Sequence, residues 1–307
     1  MRAKYDCTIE AIEVEGLSKR FGTVQALDAV TFSVLRGELF GLIGPDGAGK
    51  TTLFRLLATL IDPDGGEARV GGCDIVRDYR TIRSRVGYMP GRFSLYGDLT
   101  VEENLRFFAA LFGVEVEASY ELIAPVYRQI EPFRRRRAAK LSGGMKQKLA
   151  LSCALIHRPE ILFLDEPTTG VDAVSRSEFW EMLDGLKQRG MTILVSTPYM
   201  DEAARCDRIA LCNEGRLLGI DTPEALVHRF KGRLYAIRAD AMFALLGAAR
   251  RIQGVEACYP FGETHHLVAG SDFDMQHLIR ELGPMPGLHI EPAEATIEDV
   301  FIQWMKR

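Results

Sequence analysis

Residues Gly44-Pro45-Asp46-Gly47-Ala48-Gly49-Lys50-Thr51 spell GxxxxGK[ST], preceded by the apolar run 39–43 and followed by the helix-like stretch 50–60. Strand, glycine-rich turn and helix in that order are the context in which such a turn wraps a phosphate group. Triphosphate oxygens need many donors close together, and the backbone N–H groups of the loop supply them. Glycine permits a tight wrap that side chains would block. The following helix turns its positive end toward the anion. Lys50 adds a point charge at the β- and γ-phosphates, and the Thr51 hydroxyl is placed to ligate Mg²⁺. The nucleotide-binding residues read from this motif are Gly44, Pro45, Asp46, Gly47, Ala48, Gly49, Lys50, Thr51 and Thr52.

A second motif lies at Ile161-Leu162-Phe163-Leu164-Asp165-Glu166. Four continuous apolar residues read as a strand buried on both faces, and two carboxylates follow at its carboxyl end, where ligands gather in such sheets. Asp165 can bind Mg²⁺, and Glu166 can polarise an attacking water as general base. A strand end carrying Asp-Glu is common on its own; paired with the phosphate loop it gains meaning. The third motif is Leu141-Ser142-Gly143-Gly144-Met145-Lys146-Gln147, a glycine turn opening a helix.

A phosphate loop, then LSGGxxQ, then an apolar run ending Asp-Glu resembles the ATP-binding-cassette (ABC) family, over residues 12–230. The resemblance is to the ATP-binding subunits of transporters, of the multidrug or ABC-2 exporter type. It implies an α/β phosphate-loop cassette with a helical insertion. It also implies that two cassettes stack head to tail, so that Ser142, Gly143 and Gly144 touch the γ-phosphate bound to the other copy. Phe21, in Ser18-Lys19-Arg20-Phe21-Gly22, matches the aromatic residue that stacks on adenine through its π face; a core phenylalanine is the other reading. Gly170-Val171-Asp172 matches the loop that reaches across the dimer.

Two positions depart from the family. Gly91 stands after the strand-like residues 86–90, where the family has a glutamine near Mg²⁺ and the attacking water. Pro198 stands after residues 194–197, where the family has a histidine that bonds the γ-phosphate, and proline donates nothing. Neither is taken as catalytic; Arg92 or Tyr199 could compensate. With Glu166, Asp165 and Lys50 in place, an atypical but working ATPase is expected.

Around these motifs, residues 12–17, 30–35, 39–43, 161–164 and 191–196 read as strands and 176–188 as a helix, an α/β core with a largely parallel sheet. Residues 97–140 read as helical, with helices at 101–112 and 119–130. The pattern changes near residue 222. Strand-like 234–238, helical 242–252, strand-like 255–259 and 266–269, helical 273–282, strand-like 288–290 and helical 297–305 follow, in the βαββαβ order of a ferredoxin-like unit with one added helix. The expected division is a cassette over 1–225, its helical subdomain at about 97–157, and a small α+β C-terminal domain over 226–307.

The chain of 307 residues is 47% hydrophobic and 26% charged, with net charge −4, an ordinary globular balance that gives no prior for nucleic acid. No apolar run approaches the roughly 18 residues of a membrane span. The first ten residues carry no apolar signal region, so a cytoplasmic chain is expected. The six cysteines, Cys7 among them, form no CxxC pair and read as core or surface thiols. His265 and His266 are adjacent on a strand, face opposite ways, and are expected in solvent rather than on one metal. The run Arg134–137 reads as a solvated face or as a contact with a membrane surface or partner.

The resulting expectation is the ATP-binding and ATP-hydrolysing subunit of an exporter, using ATP and Mg²⁺. Its partners would be integral membrane permease subunits and a second cassette, identical or paralogous, with no nucleic acid. Residues 91–99 correspond to the family's permease-docking segment, with Phe93, Leu95 and Tyr96 as anchors. The chain would sit on the cytoplasmic face of a bacterial inner membrane, held there by the permease. The alternatives are a soluble cassette protein and a non-hydrolysing scaffold.

Overall fold

The computed structural model describes residues 10–91 and 95–305. Cys7, Arg92 and Phe93 lie outside the described residues. The chain divides into two compact units, Met1–Pro223 and Glu224–Arg307.

The first unit holds, in chain order, β1 (Glu10–Phe21), β2 (Val24–Leu35), β3 (Leu39–Ile43), α1 (Lys50–Leu57), β4 (Gly65–Val70), β5 (Cys73–Asp74), α2 (Tyr79–Arg85) and β6 (Val86–Met89). There follow α3 (Val101–Phe112), α4 (Val116–Tyr127), α5 (Gly143–Leu155), β7 (Ile161–Asp165), α6 (Ala173–Gln188), β8 (Thr192–Thr197), β9 (Arg208–Asn213) and β10 (Arg216–Asp221). Six strands form one sheet in the order β10-β9-β3-β8-β7-β6. All its neighbours are parallel except the β10–β9 edge pair. Every residue of β3, β7 and β8 is buried, which is why these strands read as unbroken apolar runs.

The strands 12–17 and 30–35 are not in that sheet. They belong to β1 and β2, which pair antiparallel in a second sheet of order β2-β1-β4-β5. Between the two sheets, Phe54 of α1 packs edge-on against Phe163 of β7 at 6.0 Å. Helix α1 stops three residues before the expected 60. Thr59 turns into the left-handed region at φ 60°, and the Arg83 guanidinium bonds its hydroxyl at 2.9 Å and its carbonyl at 2.5 Å. Helix α3 matches its expected span. Thr100 Oγ1 accepts from Glu103 N while Thr100 N donates to Glu103 Oε2, a reciprocal cap, and Gly113 ends the helix at φ 66°. The run 134–137 is exposed, its backbone bonded to the start of α3 through Arg136 O to Val101 N and Arg134 O to Glu102 N, both at 3.0 Å.

α7 (Pro223–Val227) leads into the second unit, with β11 (Arg233–Arg238), α8 (Met242–Ala249), β12 (Val255–Phe261), β13 (Thr264–Ala269), α9 (Met275–Leu282), β14 (His289–Pro292) and α10 (Ile297–Met305). The sheet is antiparallel, of order β12-β13-β11-β14, the ferredoxin-like arrangement. Here the two histidines correct the sequence reading. β13 is an inner strand, so His265 and His266 are 6% and 4% exposed, not solvated. His265 Nε2 meets the Met242 carbonyl at 2.8 Å, while His266 Nδ1 meets Asp299 Oδ1 at 2.6 Å. Asp299 also accepts from Tyr259 and from both Thr296 N and Thr296 Oγ1, each at 2.7 Å. Burial pushes the Asp299 carboxyl up, but the bonds from His266, Tyr259 and Thr296 outweigh it and hold it below its ordinary range. The five described cysteines are buried and free.

Candidate active site

The register of the large sheet builds the site. Ile43 pairs with Thr197 and Asp165 with Ser196, so the carboxyl ends of β3, β8 and β7 lie side by side. The loop 44–49 leaves β3 there, and Gly44 N donates to the Thr197 carbonyl at 3.3 Å. Gly49 turns into α1 at φ 95°, and a Cβ on it would stand 2.4 Å from the Ala26 carbonyl, so only glycine fits. Among the described residues no side chain caps α1, and no acidic residue sits in its first turn, which leaves its N–H groups for an anion.

Lys50 is 4% exposed. Its ammonium donates to the carbonyls of Gly44 at 2.8 Å and Pro45 at 2.9 Å, and lies 3.2 Å from Glu166 Oε1. A buried cation is tolerable because these three acceptors replace water. Glu166 has φ 51°, a left-handed conformation uncommon for a residue with a long side chain. Ser196 holds it so. Glu166 N donates to Ser196 O at 3.1 Å and Ser196 Oγ at 3.0 Å, and that hydroxyl donates to Asp165 Oδ1 at 2.8 Å. Asp165 is 2% exposed.

A cavity of about 360 Å³ is lined by Gly47, Ala48, Gly49, Lys50, Thr51, Thr52 and Glu166, together with residues 24–26 and Glu214. The structure therefore gathers the second half of the phosphate loop with Glu166. Phe21, at the end of β1, is 48% exposed, and Lys19 Nζ lies 5.7 Å from its ring centre. That excludes the core reading. Phe21 is not among the residues lining the cavity, nor are Ser142, Gly143 and Gly144. The latter open α5, where Ser142 Oγ accepts from Met145 N at 3.3 Å. A Cβ on Gly144 would meet Ser175 Oγ at 2.6 Å, so this turn packs close against the first turn of α6. Asp172 caps that helix through Ser175 N at 3.0 Å.

The two departures sit beside the chemistry. A Cβ on Gly91 would lie 3.0 Å from the Asp165 carbonyl and 3.7 Å from Glu166 Cβ. Pro198 follows Thr197 directly, and Tyr199 N donates to Thr197 Oγ1 at 3.0 Å. The Tyr199 ring carries the Arg176 guanidinium 5.0 Å from its centre. Sequence reasoning missed Ser196, which joins Asp165 to Glu166. Its only signal is a position at the end of an apolar strand, and the sheet order that makes it matter is not written locally.

A hydroxyl, a carboxylate and a lysine around a loop of open N–H groups define a phosphate-binding site on an α/β sheet, a site for nucleoside triphosphate. Thr51 lines the cavity and Asp165 does not, and both carry hard oxygens of the kind Mg²⁺ takes. A family model described as ABC transporter matches residues 27–169. The probable multidrug ABC transporter ATP-binding protein YbhF of Escherichia coli (strain K12) is 46% identical over 220 residues, 70% of this chain and 38% of that protein. The Nod factor export ATP-binding protein I of Burkholderia orbicola (strain AU 1054) is 36% identical over 303 residues, 96% of this chain and 97% of that one. A solved structure of an ATP-binding subunit of an ABC transporter is 32% identical with a TM-score of 0.65, covering 72% of this chain and 93% of the other. The chain belongs to the ABC transporter family, among its ATP-binding subunits.

Proposed function

We propose that the chain binds and hydrolyses MgATP to drive an exporter of the ABC-2 type, through closure of a pair of cassettes. The observation that carries this reading is the meeting of Lys50 and Glu166 at 3.2 Å over the phosphate-loop cavity. Lys50 and the loop N–H groups bind and orient the phosphates. Glu166, held by Ser196, takes the proton of the attacking water, and Phe21 offers its exposed ring to adenine. Thr51 and Asp165 would hold Mg²⁺, which supplies neutralising charge at the phosphates. Ser142, Gly143 and Gly144 at the start of α5 are assigned to the γ-phosphate on a second cassette, homodimeric or paralogous.

For the permease, the reading is supported by an apolar groove of about 490 Å³ whose lining includes Tyr88, Met89, Leu95, Phe108, Leu111 and Phe112. Leu95 lines it directly, while Tyr96 is 50% exposed beside it. No described helix is long and apolar enough to cross a membrane. The membrane position, on the cytoplasmic face, is assigned to docking on permease subunits. The cassette is assigned to 1–225 and an accessory domain to 226–307.

Two variants test this. Lys50→Ala is expected to abolish tight MgATP binding, because the phosphates lose their buried cation; unchanged affinity would remove the phosphate-loop assignment. Glu166→Gln is expected to collect as a closed dimer with MgATP in sedimentation, and monomer alone would count against the shared site.

A further inference from the structure

Behind the carboxyl edge lies a buried carboxylate that the phosphate chemistry does not use. Glu202, in the turn 200–205, is 4% exposed. Its Oε2 accepts from Thr197 Oγ1 at 2.5 Å and from Thr168 Oγ1 at 3.1 Å, and both threonines are buried to within 1%. Its Oε1 is buried and has no hydrogen-bond partner among the described residues. The Arg176 Nε lies 3.7 Å from that oxygen, and the same guanidinium reaches Asp201 at 3.2 Å.

A buried carboxylate is costly unless something fixes it, so its three neighbours say what it joins. Thr197 ends β8, and its carbonyl receives Gly44 N of the phosphate loop. Thr168 sits in the turn that follows Glu166, closed by Thr169 N to Glu166 O at 3.2 Å. Arg176 lies on α6, whose Ser175 abuts Gly144 at the start of α5. One carboxylate thus ties the strand that borders the phosphate loop to the turn that carries Glu166 and to the helix that backs the Ser142–Gly144 turn. Pro198 stands next to this knot and offers no donor of its own.

We propose that Glu202 is a positioning residue for ATP hydrolysis in this chain. By holding Thr197 and Thr168 at a fixed separation, it sets where Ser196 presents Glu166 to the phosphate loop, an alignment that no side chain at position 198 helps to fix. The proposal rests on the ATPase reading above. It concerns rate rather than affinity, because none of its bonded groups lines the phosphate-loop cavity.

The test is steady-state hydrolysis of MgATP by the full chain, with ADP affinity and melting temperature measured on each variant. Glu202→Ala is expected to lower kcat about 10- to 100-fold, the scale of a small misplacement of a reacting group, with ADP affinity and KM within about threefold. Glu202→Gln keeps an oxygen for both threonine hydroxyls and is expected to stay within about threefold of the parent, well above the alanine variant. Should Glu202→Ala fail to fold, the isosteric Thr168→Val removes the bond from Thr168 Oγ1 to Glu202 and is expected to lower kcat about tenfold at unchanged ADP affinity. A folded Glu202→Ala with the parent's kcat, or one in which ADP affinity falls as far as kcat, overturns the proposal. Glu166→Gln runs beside them. If the parent is no faster than Glu166→Gln, the ATPase reading fails and the positioning role with it. If the parent is faster and Glu202→Ala matches the parent, the positioning role alone fails.

Discussion

Replacing Glu166 by glutamine is expected to tighten ADP binding about tenfold while removing hydrolysis. Glu166 Oε1 lies 3.2 Å from Lys50 Nζ, so the carboxylate and a bound phosphate compete for one ammonium. At that distance two unit charges attract by about 5 kcal/mol at an effective dielectric of about 20 and by about 1 kcal/mol in water. The Glu166 side chain is 22% exposed, and solvent screening draws the pair toward the lower figure. Lys50 also donates to the Gly44 and Pro45 carbonyls, which share its charge. A net competition of about 1.4 kcal/mol remains, which is tenfold in affinity. ADP is the right probe, since it lacks the γ-phosphate that a second cassette would share, and so reports this competition without dimer closure. Calorimetric titration of the parent and Glu166→Gln at one salt concentration measures it. An ADP affinity equal within twofold, or weaker in the variant, would refute the competition. Hydrolysis should fall by about 10²–10⁴ in the same variant, the worth of a general base.

Pro198→His restores a donor beside Thr197 and is expected to raise turnover by about 10²-fold; unchanged turnover at an unchanged melting temperature would mean that another group already serves the γ-phosphate. Burial holds the His157 pKa below its ordinary 6.5, against a weaker upward pull from the Val86 carbonyl. The unfolded chain therefore takes the proton first as pH falls, so the stability tied to neutral His157 is complete above about 6.5 and drains away below it toward the depressed folded value. His157→Phe should flatten the fall in melting temperature between pH 7.5 and 5.5, and identical falls would exclude this origin. Asp299→Ala strips the acceptor from His266, Tyr259 and Thr296 and is expected to cost the C-terminal unit about 3 kcal/mol in chemical denaturation; a loss below about 1 kcal/mol would show the cluster to be incidental.

The phosphate loop was legible because its chemistry demands contiguous residues: a strand, a glycine turn and a lysine cannot be scattered along the chain. Glu166 was legible for a related reason, as the residue that follows a fully buried strand. Helix α3 could be bounded because Thr100, Glu103 and Gly113 write both of its ends locally. What was not legible depends on partners distant in sequence. Apolar alternation marked residues 12–17 and 30–35 as strands but carries no record of which sheet they join. The His265-His266 pair looked solvated because nothing local says that β13 is an inner strand. Thr59 ends α1 through Arg83, and Ser196 fixes Glu166 across strand neighbours, contacts that appear only once the sheet order is known.

The most direct measurement is the initial rate of phosphate release from MgATP by the full chain, compared with Glu166→Gln under the same conditions, alone and with the permease. Gly91 and Pro198 stand where the resemblance implies a glutamine and a histidine, while Lys50 and Glu166 meet beside the loop. A parent rate at least about 10²-fold above that of Glu166→Gln is expected if Glu166, 3.2 Å from Lys50 beside the loop, is the general base proposed above. A parent rate no higher than that of Glu166→Gln in both settings would contradict hydrolysis by this chain.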